Sequence, residues 1–186
     1  MNFSREVTDG RAEHDGGQVT NTNATFSFVP LDPEAHDRSL FSSGEESLDR
    51  YLKTQASQDS KRGYSACFVA ATCEGRVAGY YTLTAYTVGI DDLPEASTKG
   101  LPKRAPVPSA LLGRLAVDQE FQKMGLGGAL LADALEKAAN SPTAAHAMVV
   151  DALNDNAARF YVHFGFLSFA SAPMRFFLPL APYRTK

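Results

Sequence analysis

Leu115-Ala116-Val117-Asp118-Gln119-Glu120-Phe121-Gln122-Lys123-Met124-Gly125-Leu126-Gly127-Gly128 reads as a strand that ends, a chain of backbone amides that turns, and a helix that begins. Three glycines without β-carbons let the main chain come close to a phosphate. The N–H groups of the first helical turn then point at it, helped by the helix dipole. Lys123 adds a positive charge beside them. A Walker loop would need Lys-Ser/Thr after its last glycine, and here Ala129-Leu130 follow Gly128. A dinucleotide fingerprint begun at Gly125 would need Gly or Ala where Leu130 stands. A turn whose glycines serve only tight strand-to-helix packing would look the same, so the glycines alone leave both readings open.

Outward from this turn the pattern extends in both directions. Ala110 to Val117 is an apolar strand, and Gly127 to Asn140 reads as a helix with Leu130, Leu131, Ala134 and Leu135 on its apolar face. Ala147 to Ala152 is a second apolar strand, followed by a helix over Asp155 to His163. Strand, helix, strand, helix implies a βαβα unit whose two strands run parallel. Phe166 to Ser168 and Arg175 to Leu178 would close the sheet as an antiparallel pair. Upstream, Thr25 to Pro30 reads as a short strand and Glu45 to Asp59 as one helix capped by Ser42 or Ser43. Tyr64 to Cys73 and Val77 to Val88 form a hairpin around Glu74-Gly75-Arg76. Four prolines between Gly89 and Pro108 exclude regular structure there and predict a long loop.

The chain of 186 residues, 44% hydrophobic, suffices for one core. Met1 to Ala24 is polar and aperiodic and is expected to be a flexible extension, with one folded domain over residues 25–186. Residues 1–48 carry three basic and nine acidic residues, so the remainder of this chain of net charge −3 is mildly cationic at +3. That permits an anionic ligand, but a nucleic-acid binder working by bulk charge would carry more. Cys67 and Cys73 stand six apart in one expected strand and so share a face, which disfavours a bridge and suits a reduced cytoplasm. No apolar run reaches the roughly 18 residues that span a bilayer, so neither export nor a membrane partner is expected. His14, His36 and His146 show no metal-ligand spacing, and no metal is expected.

Gln122-Lys123-Met124-Gly125-Leu126-Gly127 resembles the Q/R-x-x-G-x-G/A motif of the GNAT acetyltransferase superfamily. Asn154, Ala157, Phe160-Tyr161 and Gly165-Phe166 resemble its downstream N-x-x-A-x-x-F-Y-x-x-x-G-F signature. The resemblance covers about residues 26 to 180. It implies an α/β (α+β) GNAT fold: a mixed, mostly antiparallel sheet, splayed at a bulged strand and flanked by helices. It also implies acetyl-CoA as donor, with the diphosphate held by Gln122, Lys123, Met124, Gly125, Leu126, Gly127 and Gly128. The pantetheine arm would add like a strand along Leu115, Ala116 and Val117. Asn154 would lie on the cofactor and Tyr161 near the sulfur. A narrower resemblance, to the TacT/AtaT-like GNAT toxins of toxin-antitoxin pairs, rests on Leu48-Asp49-x-Tyr51-Leu52, Gly79-Tyr80-Tyr81-Thr82-Leu83, Leu112-Gly113-Arg114-Leu115-Ala116-Val117 and Val149-Val150-Asp151-Ala152. It implies aminoacyl-tRNA as acceptor and a ribbon-helix-helix antitoxin as partner. Ala105, where an aromatic is expected, and the acidic extension depart from that pattern. A homodimer is compatible with the sequence.

The α-amine of an aminoacyl ester is largely neutral near pH 7, so the enzyme needs chiefly to place that nitrogen against the thioester carbonyl. The leaving thiolate calls for a nearby hydroxyl, and Tyr161 is the candidate acid. Phe160 and Tyr161 are adjacent on a helix, so one packs while the other faces the cleft. Arg114 alternates to the face opposite Leu115, where an acceptor would lie. Lys53, Lys61, Arg62, Lys103 and Arg104 are candidates for tRNA phosphates. Asp118 and Glu120 are the obvious carboxylates beside the turn and read as solvent-facing, while His163 has no assigned role. The alternatives are an acetyltransferase acting on a metabolite amine, a protein N-terminus or a lysine, and a binding module that has lost turnover.

Overall fold

A computed structural model describes residues 4–5, 25–102 and 105–185. In chain order the elements are β1 (Ser4–Arg5), β2 (Phe26–Pro30), α1 (Glu46–Thr54), α2 (Ala56–Lys61), β3 (Ala66–Ala71), β4 (Val77–Val88), α3 (Glu95–Thr98), β5 (Val107–Val117), α4 (Leu126–Ala139), β6 (Ala147–Asp151), α5 (Asp155–His163), β7 (Leu167–Phe169) and β8 (Ala172–Pro179). The strands form one mixed sheet in the order β1-β2-β3-β4-β5-β6-β8-β7. Among the described strands only β5 and β6 pair in parallel, as the βαβα reading requires.

Helix α4 buries Leu126, Leu130, Leu131, Ala134, Leu135 and Ala138. They meet Tyr81, Leu112, Met148, Val150, Phe166 and Phe176, which cover one face of the sheet. Fully burying a leucine stabilises by about 1.5–3 kcal/mol, so this layer dominates the fold. The other face carries two separate apolar clusters. One joins Phe41, Tyr51, Leu52 and Ala56 to Val69, Tyr80 and Ala116. The other joins Leu93 of the long loop to Val88, Val107, Val149, Phe169 and Phe177.

Several expectations need correction. The first helix breaks at Gln55, where Thr54 Oγ1 bonds back to the Arg50 carbonyl at 2.8 Å and α2 restarts at Ala56. Neither Ser42 nor Ser43 caps it: the cap position is Glu45, and Ser43 instead donates through its N–H and hydroxyl to Asp49. The proline-rich loop holds a 3₁₀ turn at Ile90–Asp92 and the single turn α3, because Pro94 at the cap presets helical φ and Leu93 is buried. Cys73 lies in the exposed turn after β3 whereas Cys67 is buried, so the two do not share a strand face. Ser4–Arg5 pairs with Phe26 and Ser27, so part of the expected extension adds to the sheet edge. The rest of 1–24 lies outside the described residues. Among the described residues no helix is long and apolar enough to cross a membrane.

Candidate active site

Asp118 directly follows β5 and is 2% exposed. Its carboxylate accepts hydrogen bonds from the Ser42 N–H (2.9 Å), the Glu120 N–H (3.0 Å) and Arg76 Nη2 (3.4 Å). Arg76 also pairs with Glu120 at 2.7 Å, which holds the Glu120 carboxyl below its ordinary pKa. These two carboxylates therefore anchor the turn, and the solvent-facing reading of Asp118 fails because Arg76, 42 residues earlier, folds onto it. The Gln122 amide donates to the carbonyls of Ser43 (2.9 Å) and Val117 (3.0 Å), fixing where the turn departs from the strand.

Lys123 has φ +64° and Gly125 φ +78°, both left-handed. Such alternation turns successive N–H groups to one side and makes an anion-binding hollow. A left-handed lysine is uncommon, and strain of this kind concentrates at functional sites. The amides of Lys123, Met124 and Gly125 make no hydrogen bond among the described residues. Those of Leu126, Gly127 and Gly128, in the first turn of α4, have no partner four residues back in the helix. Lys123, Gly125, Leu126, Gly127 and Gly128 border a groove of about 390 Å³ whose far wall is Phe160 and His163 of α5 with Phe164 at its C-terminal cap. A diphosphate fits this lining of free amides and one lysine. A β-carbon on Gly127 would stand 3.5 Å from the Phe160 ring, whereas one on Gly128 would come within 2.9 Å of Phe164. Gly128 therefore serves the approach of the two helices, and Gly127 the groove.

The pairing of β5 with β6 runs only from Ser109↔Ala147 to Leu112↔Val150. At Gly113 the register with β4 shifts, since Thr82 pairs with Arg114 but Leu83 with Leu112. This bulge lets Leu112 and Leu115 face the α4 layer while Leu111 and Arg114 face the other side. A β-carbon at Gly113 would stand 3.1 Å from Thr82 Oγ1. Beyond the bulge, Leu115, Ala116 and Val117 pair with β4 alone, which leaves their outer edge without a strand partner and open to an extended ligand, the Val117 carbonyl being taken by Gln122.

On α5 the division between neighbours differs from expectation. Phe160, with His163 and Phe164, faces the groove. The Tyr161 ring is 7% exposed and packs on Phe160 and Phe166. Its hydroxyl makes no hydrogen bond among the described residues, yet it is not sealed from solvent. Burial pushes its pKa up to about 12. His163 thus reaches the groove rim, a place that the spacing i, i+3, i+4 with Phe160 and Phe164 would have indicated. Asn154 caps α5: its Oδ1 accepts from the Ala157 N–H at 3.0 Å and its Nδ2 donates to Glu45 at 3.3 Å.

On the opposite face the Arg114 guanidinium stacks 3.5 Å above the Tyr51 ring, with no ion pair among the described residues. Lys53 is not brought to it: Tyr51 faces inward on α1, and Lys53 borders a separate hollow beside residues 33–39. Lys103 and Arg104 lie outside the described residues. The sequence reading missed a further group. Arg175 of β8 donates to both carboxylate oxygens of Asp151, at 2.7 and 2.9 Å, and to the Tyr86 hydroxyl at 3.1 Å. Only its inclusion in a four-residue motif singled Asp151 out beforehand.

Residues 33–166 match the Acetyltransferase (GNAT) family. The chain is 42% identical over 148 residues to a tRNA-acetylating toxin of Mycobacterium tuberculosis, covering 78% of this chain and 87% of that one. A solved structure of AtaT complexed with acetyl-methionyl-tRNAfMet superposes with a TM-score of 0.76 at 29% identity, covering 83% of this chain and 94% of that one. An AtaT tyrosine-to-phenylalanine mutant bound to the C-terminus of the antitoxin AtaR and to acetyl-CoA superposes with a TM-score of 0.70 at 27% identity, covering 85% and 95%.

Proposed function

The chain belongs to the acetyltransferase (GNAT) family, and from that premise we propose that it moves an acetyl group from acetyl-CoA to the α-amine of an aminoacyl-tRNA, as a toxin that blocks translation. The observation that carries the donor half is the run of β5 past its last rung with β6, straight into a turn of unbonded amides. Coenzyme A supplies the activated thioester. Lys123 and the amides through Gly128 would hold its diphosphate, and the free edge at Leu115 to Val117 its pantetheine arm. Asn154 would meet the cofactor with the N-terminal end of α5.

Tyr161 is the proposed acid. With its pKa raised to about 12, well above a thiol's ordinary 9.0, it works as a hydrogen-bond donor to the departing thiolate more than by complete proton transfer. Arg114 is the proposed acceptor-side cation: it is half-buried, beside the bulge, and among the described residues has no carboxylate to neutralise it. Lys53, Lys103 and Arg104 would meet tRNA phosphates farther out. The similarity to AtaT in complex with its antitoxin supports a protein antitoxin for this chain too, which we take to be of the ribbon-helix-helix type. We further propose that the chain works as a homodimer in the cytoplasm, where charged tRNA is found. A lysine acceptor, an amine of pKa near 10.4, would need a base, and the two carboxylates beside the turn, Asp118 and Glu120, are engaged by Arg76.

Incubation of the protein with charged total tRNA and radiolabelled acetyl-CoA tests the reading. Label released with the amino acid on mild ester hydrolysis is the expected result. Label on protein, or on a free metabolite, would overturn the tRNA assignment.

A further inference from the structure

The face of the sheet away from α4 and α5 carries two lids, with the parting of β5 from β6 between them. Helices α1 and α2 cover Tyr80 and Ala116, and the long loop covers Val88 and Val107. Strand alternation places Thr82, Thr84, Arg114 and Asp151 on this face between the two clusters. Thr82 is 1% exposed. Asp151 is the last residue of β6, one position beyond the final β5–β6 rung and next to the bulge at Gly113.

Asp92 lines a hollow with Tyr86 and Arg175, and four other carboxylates are used within the fold. Asp118 and Glu120 bind Arg76, Asp49 binds Ser43, and Glu45 accepts from Asn154. Asp151 is held too, but in a way that leaves it able to act. Arg175 takes one lone pair from each oxygen, and a carboxylate offers about four acceptor sites. The Asp151 side chain remains 54% exposed. Arg175 is fixed in turn by Tyr86, 89 residues away in sequence. This is a carboxylate preset in position with half of its acceptor capacity unused, at the end of β6 where the strands part.

We propose that Asp151 receives the acceptor's amino group and stabilises the positive charge that nitrogen acquires during transfer, with Arg175 and Tyr86 as its positioning residues. The inference rests on the acetyl-transfer reading above. As the amine lone pair forms the C–N bond, the C–S bond breaks and its electron pair leaves on sulfur. The nitrogen is cationic until one of its protons passes to water. A fixed carboxylate at that point binds the changing charge more strongly than the neutral amine, which is the condition for raising the rate. A surface ion pair alone would contribute almost nothing.

The test compares two tRNA minihelices in the presence of coenzyme A: one carries an amide-linked amino acid, the other the same acyl group without its amine. Wild type is expected to bind the amine-bearing probe at least about tenfold tighter, the scale of one charge-assisted hydrogen bond. Asp151→Asn should erase that preference, keep coenzyme A affinity, and lower kcat/KM for acetyl transfer by about 10²-fold. Arg175→Gln should weaken the preference, and Arg175→Lys should restore part of it. A wild type indifferent to the amine, or an Asp151→Asn variant that keeps the preference, overturns the proposal. Should Asp151→Asn fail to fold, Asp151→Glu replaces it: a full preference at unchanged kcat/KM would count against Asp151. If acetyl is transferred to some other amine, the tRNA reading fails alone. The same comparison, made with that acceptor and its deaminated twin, then decides the role of Asp151.

Discussion

The Phe160 ring stands 3.5 Å from where a β-carbon on Gly127 would lie, an ordinary contact, so the missing side chain at Gly127 serves the groove and not the packing of α4 on α5. Replacing Gly127 with alanine should therefore separate two effects. Stability should rise by about 0.5–1 kcal/mol, the helix-propensity gain of alanine over glycine. Coenzyme A affinity should fall by tenfold or more, about 1.4 kcal/mol, as the added methyl intrudes on the amides. Thermal melts and calorimetric titration read the two, and an unchanged affinity would remove Gly127 from the diphosphate site.

Gly125 holds φ +78° at the cap of α4. Gly125→Val should lose about 1–2 kcal/mol of stability from the left-handed backbone alone. The strain reorients the amides of Lys123 to Gly125, so coenzyme A binding should become undetectable at concentrations that saturate wild type. Normal binding by a folded variant would show that this turn does not grip the cofactor.

Tyr161→Phe removes a hydroxyl that bonds to nothing among the described residues. Melting temperature and coenzyme A affinity should thus stay near wild type while the transfer rate falls by about 10²-fold, the usual scale for an acid. Equal rates for the two proteins would leave Tyr161 a packing residue.

Stability should fall on the alkaline side. Burial raises Cys67 and Tyr161 to about 12 and also raises Tyr80 and Tyr81, the latter helped by Asp133. The unfolded chain sheds these protons first, from an ordinary 9.0 for the thiol and 10.0 for the phenols. The native state then holds more protons. The stabilisation is whole below about pH 9 and declines above it, by about 1.4 kcal/mol per pH unit for each group. Melts across pH 8 to 11 should show the decline, with Cys67→Ala delaying its onset. A flat profile would mean that these groups titrate as freely in the fold as out of it.

Local chemistry made much of this protein legible in its sequence. The limits of β4 and α5, the parallel pair and the phosphate turn follow from residue period, helix caps and glycines within a few positions of each other. The proposed cradle from Leu115 to Gly128 is one continuous stretch for the same reason: helix amides and a strand edge need no distant partner. The acceptor side is another matter. The sequence could not show that Arg76 would pin Asp118, that Arg114 would lie over Tyr51, or that Asp151, Arg175 and Tyr86 would meet. Nor could it show which ring of α5 would turn to the groove. Each of these depends on side chains from separate strands and helices that only the closed sheet brings within hydrogen-bond reach.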